Sequence, residues 1–188
     1  NPVPFALGMI SDIQYADFWN EGMKLYSASL FTEEKFVELA ESLIQWLERE
    51  EPFYTSPIIL FKSNCVNYLA QMVGPNLFQN PELKNKILTF AQRFFLDGEP
   101  TRPEYWYQKY GLLQTALQPK DSLTEEESEA LSWAESTARL CVQFASRLYN
   151  ATADERFLKI VEICLQSDSI QIKNTAQLEF QDEEGNVL

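Results

Sequence analysis

Histidine is absent from this chain of 188 residues. That absence excludes Ser-His-Asp and Cys-His catalysis, imidazole metal ligation and histidine-based pH switching. Glycine is scarce, at 6 residues, and no GxGxxG, P-loop or nucleophile elbow occurs. The 3 cysteines, Cys65, Cys141 and Cys164, form no CxxC pair, and each lies in an apolar helical setting. They read as free buried thiols of a reducing compartment rather than as a disulfide framework. No run approaches the roughly 18 apolar residues of a membrane span. The stretch from Val3 to Ile10 lacks a basic leader and does not read as an intact signal peptide. Together these absences point to a cytoplasmic protein without a membrane span, a metal site or a cofactor. A sequon, Asn150-Ala151-Thr152, falls in an expected interhelical loop and is the one pointer toward secretion.

What is present is a core. Hydrophobic residues make up 45% of the chain and aromatic residues 13%, and a domain of this size buries roughly 70% of its unfolded surface. The net charge of −13 is unevenly spread. Residues 1–51 carry 3 basic and 10 acidic side chains (−7), residues 52–120 carry 7 and 4 (+3), and residues 121–188 carry 5 and 14 (−9). The two ends repel nucleic acid and anionic lipid. Phosphate binding needs clustered Lys and Arg, so no nucleic-acid partner is expected.

Apolar residues recur at helical spacing along most of the chain. Residues 5–10 read as a short strand or packed lead-in, and Asp12 to Leu30 as a helix broken by Asn20 and Gly22. Thr32 caps a helix whose stripe is Phe36, Leu39, Ala40, Leu43 and Leu47. Ser56-Pro57 and Asn80-Pro81 each open a further helix, stopped by Gly74-Pro75 and Gly98. Thr101 to Pro103 opens a helix with Trp106, Tyr110, Leu113 and Leu117 on one face. Thr124 and Glu127 form a capping box for the longest helix, which runs to about Tyr149. Its small-residue seam, Leu131, Ala134, Ala138, Cys141, Ala145 and Leu148, suits close antiparallel packing against a neighbour. A last helix covers Ala153 to Leu165. Ile170, Ile172, Leu178 and Phe180 alternate with polar residues, as in a strand.

The expected fold is therefore all-α, an antiparallel helical array or irregular bundle of about six to seven helices. Residues 1–169 form the helical domain. Residues 170–188 form a strand-like tail, either a short C-terminal β-hairpin or a strand pairing with further chain. The abrupt ends read as boundaries within a larger protein. The helix rhythm over residues 32–165 resembles an α-solenoid of the HEAT or armadillo kind, which implies a protein-interaction array.

A second, local likeness involves Leu7-Gly8-Met9-Ile10-Ser11-Asp12 and the following Ile13-Gln14-Tyr15-Ala16-Asp17. This segment resembles the opening strand motif of the manganese-dependent ADP-ribose/CDP-alcohol diphosphatases, and the resemblance implies a metal-ligating role for Asp12. The chain then departs from that family. Lys62-Ser63-Asn64 stands where Gly-Asp is needed, no Gly-Asn-His follows, and the metal-binding histidines are missing.

Among candidate contact residues, Tyr105 and Tyr107 flank Trp106 with Arg102 and Lys109 on either side. Tyr105 and Tyr107 cannot both face one core, and exposed tyrosine beside arginine is a common interface anchor. Arg102, Tyr105, Tyr107 and Lys109 are the expected partner-binding residues. The acidic run Glu125, Glu126, Glu127 and Glu129 reads as helix-dipole stabilisation. The leading functional expectation is a scaffold or adaptor domain that binds a protein partner, a basic one being the best match to the acidic ends. A small acidic inhibitor, immunity protein or nucleic-acid mimic is the alternative, and a histidine-free enzyme using carboxylates is the third.

Overall fold

The computed structural model describes residues 33–74, 78–96 and 99–179. The described residues form α1 (Glu33–Glu48), α2 (Ser56–Met72), α3 (Pro81–Leu96), α4 (Pro103–Lys109), α5 (Leu113–Ala116), α6 (Glu125–Thr152), α7 (Glu155–Leu165) and α8 (Ile170–Glu179). A short 3-10 turn, Lys120–Ser122, precedes α6. No strand occurs among the described residues, so the all-α expectation holds. The 5–10 lead-in, the 12–30 helix, the Thr32 cap, Asp12, Gly98 and the part of the tail from Phe180 onward lie outside the described residues.

Helix α6, 28 residues long, is the hub. It packs most extensively on α2 and also contacts α4, α5, α7 and α8, while α1 packs on α2 and α3. One helix touching five others is the pattern of an irregular bundle, since in a regular solenoid each unit meets only its neighbours. The Thr124 capping box forms as expected, with Glu127 N–H donating to Thr124 Oγ1 at 3.1 Å and Thr124 N–H donating to Glu127 Oε2 at 2.9 Å. The seam residues Ala134, Ala138, Cys141 and Ala145 are fully buried.

The direction of the main pair differs from expectation. Ser56 Oγ, at the start of α2, donates to Glu129 near the start of α6 at 3.1 Å. Arg147, near the end of α6, donates to Ala70 O at the end of α2, at 3.2 Å. The two helices therefore run parallel, because the intervening chain returns through α3, α4 and α5 before α6 begins. Helices α1 and α3 are parallel too, laced by Asn80 to Glu33 at 2.8 Å, Lys86 to Glu41 at 3.8 Å and Arg93 to Glu48 at 2.7 Å.

Three further local expectations change. The helix opened by Thr101–Pro103 stops after Lys109. Gly111 has φ of +70°, a conformation that suits glycine. Leu112 N–H donates to Tyr107 O at 2.7 Å and Gly111 N–H to Gln108 O at 3.3 Å, the two bonds of a Schellman stop. The apolar face therefore breaks, leaving Trp106 and Tyr110 buried but Leu113 and Leu117 exposed. The sequon lies in the last turn of α6 rather than in a loop, and Thr152 Oγ1 donates to Leu148 O at 2.6 Å.

The strand-like tail is helical over Ile170–Glu179. Ile172, Thr175 and Ala176 face inward at helical spacing, while Ile170 and Leu178 are exposed. The alternation in the sequence mixed one buried residue with two exposed ones.

One buried charge ties α1 to α2. Lys62 is 1% exposed, and its Nζ donates to Trp46 O at 2.8 Å and Arg49 O at 2.5 Å. It thereby satisfies carbonyls that the C-terminus of α1 leaves orphaned. The Tyr54 ring lies 5.8 Å from the ammonium. Burial lowers the Lys62 pKa from 10.5 to about 8, against the raising influence of Glu51. A neutral amine still donates both bonds, so deprotonation relieves the desolvation without breaking the cap.

Lys62→Met is expected to cost about 1–3 kcal/mol, the penalty of leaving buried carbonyls unsatisfied. The pH dependence has a definite sign. Between pH 8 and 10.5 the unfolded chain holds the Lys62 proton and the folded chain does not, so this group adds stability as pH rises. Cys141, Cys164, Tyr105, Tyr107 and Tyr110 have pKa values raised by burial and act in the opposite sense. The measurable quantity is therefore the stability of the wild type minus that of Lys62→Met in urea melts. It should grow by on the order of 3 kcal/mol across that window, and a flat difference contradicts the assignment.

Candidate functional site

The four residues expected to bind a partner meet different fates. Trp106, fully buried, donates its Nε1–H to Pro100 O at 2.7 Å and pins the loop before α4. Tyr105 and Tyr107 on either side are half-buried and both pack against the core. Tyr105 meets Trp106 edge-on at 5.0 Å between ring centres. The Tyr107 hydroxyl donates to Glu135 Oε1 on α6 at 2.6 Å. Burial, aided by that bond, drives the Tyr107 pKa far up, and burial also raises that of Tyr105. The tyrosines thus seal the α4–α6 joint. Each lies about 100° around α4 from the buried Trp106, so both are partly covered, contrary to the expectation that they could not both face one core.

Lys109 is half-buried in the last turn of α4, where a cation suits the helix dipole. Arg102 is exposed, with its Nη1 2.6 Å from Glu99 and its Nε 3.9 Å from Glu104. The bond to Glu99 raises its pKa. Exposed pairs of this kind add little stability.

Arg102 instead belongs to a cleft of about 650 Å³. One wall is the 99–104 segment, the other is the end of α7, and the α7–α8 turn closes the base. Four carboxylates line it, Glu99, Glu104, Glu162 and Asp168, against two cations, Arg102 and Lys159. Arg102 pairs with Glu99, leaving Glu104, Glu162 and Asp168 against Lys159, so negative charge dominates. Ile163 on the lip is 67% exposed, and Ile170, just past the turn, is 74% exposed.

Cys164 also lines the cleft but is 2% exposed, and burial pushes its thiol pKa up despite a bond to Thr101. It is therefore a poor source of nucleophilic thiolate at neutral pH. Among the described residues no group of three His, Cys, Asp or Glu side chains is placed to hold a metal ion, and no helix is long and apolar enough to cross a membrane.

Sequence reasoning missed the cleft, whose residues come from separate elements. It also missed Lys62. That signal was present, because Ile59, Lys62, Val66 and Leu69 recur at spacings of 3, 4 and 3, placing the lysine inside an apolar stripe.

No protein-family model, curated protein or solved structure matches this chain.

Tyr107→Phe is expected to cost about 1.5–3 kcal/mol, the value of a hydrogen bond to a charged group. Chemical denaturation of the variant and of Glu135→Gln checks this. Because both tyrosines are packed, truncating either to alanine reports on stability before it reports on binding.

Proposed function

We propose that this domain is a protein-interaction scaffold, a helical array akin in use to HEAT or armadillo arrays, that docks a basic segment of a partner in the 99–172 cleft. One observation carries the reading. The cleft has four carboxylates for two cations, one of which is already paired, and an exposed apolar lip at Ile163. Charge of one sign around an apolar anchor point suits a peptide bearing Lys or Arg beside a leucine-like side chain. The role differs from the expected patch in that Arg102 positions Glu99 and Glu104, while the tyrosines stiffen the wall behind it.

The acidic-inhibitor alternative is less well supported. A nucleic-acid mimic needs its carboxylates free on one face. Here Glu127 caps α6, Glu129 accepts from Ser56, Glu135 accepts from Tyr107, and Glu41 and Glu48 pair with Lys86 and Arg93.

Glu162→Lys and Asp168→Lys should each weaken binding of a fluorescent peptide rich in lysine and leucine by about tenfold at low salt, one charge contact being worth roughly 1.4 kcal/mol. Ile163→Ser, which removes the apolar anchor without changing the charge, should weaken it at every salt concentration. Fluorescence anisotropy at low and high salt measures both. Equal affinity of all variants and wild type would place any binding elsewhere.

A further inference from the structure

A second pocket, of about 690 Å³, differs from the first in sign. It lies where the end of α2 and residues 73–74 meet Phe78, Gln79, the first turn of α3 and the last turns of α6. Its charged residues are Lys84 and Arg147, and among the described residues no carboxylate lines it, in a chain with 28 acidic and 15 basic residues. Gln79 and Asn150 add amide groups, and Val73 and Phe78, each 5% exposed, supply an apolar floor.

The fold uses these two cations only in part. Lys84 sits in the first turn of α3, where the helix dipole disfavours positive charge. Its Nζ lies 5.7 Å over the Phe78 ring, and it makes no ion pair among the described residues. Arg147 donates through Nη1 to Ala70 O at 3.2 Å, which uses one of five guanidinium N–H groups. The rest of its planar fork has the shape that holds oxyanions.

We infer that this pocket binds a small organic anion, its oxyanion head between Lys84 and Arg147 and a short apolar arm over Val73 and Phe78. The volume matches that of sites for small molecules, which combine an apolar lining with a few placed polar groups. Asn150 and Gln79 supply neutral donors to the head group. The head can be a phosphomonoester or a carboxylate, since both offer a planar pair of oxygens to the fork. This site is separate from the acidic cleft and stands whether or not the scaffold reading does.

The test titrates the full chain with phenyl phosphate, benzoate and inorganic phosphate, followed by calorimetry and amide chemical shifts. Phenyl phosphate or benzoate should bind at least tenfold more tightly than inorganic phosphate. Whichever of the two binds more tightly identifies the head group. Lys84→Glu, at an exposed position, should lower that affinity at least tenfold with the fold intact by circular dichroism. Arg147→Lys, which keeps the charge and loses the fork, should lower it several-fold. Glu162→Lys, in the other cleft, should leave it unchanged. Unaltered binding in Lys84→Glu, inorganic phosphate binding as tightly as phenyl phosphate, or no binding of either organic anion at millimolar concentration overturns the assignment.

Discussion

Helix α6 meets most of the other helices because the side that packs into the core is built from small side chains. Ala134, Ala138, Cys141 and Ala145 are wholly buried, and side chains this short let helices approach closely. The same core takes in Val142, Phe144 and Leu148, so α6 mixes small residues that permit approach with large ones that fill space. Phe144 lies near Phe90 and Phe95 of α3, and Phe95 lies near Phe157 of α7, so one ring bridges the two halves of the chain. Parallel alignment of α2 with α6 is held at each end by a polar bond, Ser56 to Glu129 and Arg147 to Ala70.

Buried polarity in this protein goes mostly to holding helix ends. Lys62 caps α1, Arg147 reaches the last turn of α2, and Trp106 ties the chain before α4. Asn80 accepts from Leu83 N–H at the start of α3, and Asp154 accepts from Arg156 N–H at the start of α7. Each answers the orphaned groups that any helix leaves at its termini. Two hydroxyls stand outside this pattern, since among the described residues Tyr110 Oη and Ser146 Oγ are buried without a hydrogen-bond partner. Two of the clefts among the described residues are of opposite sign. The acidic one is the proposed site for a basic peptide segment, and the basic one the proposed site for a compact anion.

Helix starts were largely legible in the sequence because capping is local chemistry. Thr124 with Glu127, and Asn80 with Pro81, announce themselves within four residues. Helix stops were harder. Gly111 lies inside an apparent apolar stripe from Trp106 to Leu117, and only its left-handed conformation shows that the stripe is broken. Helix α8 was misread as a strand because two of its three inward residues, Thr175 and Ala176, are too small or too polar to register as a hydrophobic pattern. The four expected contact residues were adjacent in sequence, yet the fold sends Tyr105 and Tyr107 toward α6 and Arg102 toward α7.

The sequence by itself determined that this protein is helical, lacks imidazole chemistry and carries its negative charge mostly at its ends. Those are properties of composition and of a period set by backbone geometry, and both survive without long-range contacts. Tertiary structure alone decided which helices run parallel, that Lys62 finds the carbonyls at the end of α1, and that Arg102 faces Glu162 and Asp168 across a cleft while Lys84 shares a pocket with Arg147. The residues that face each other in these pockets are separated by about sixty positions in the chain. Their meeting depends on how α6 orders its neighbours, which no local pattern records.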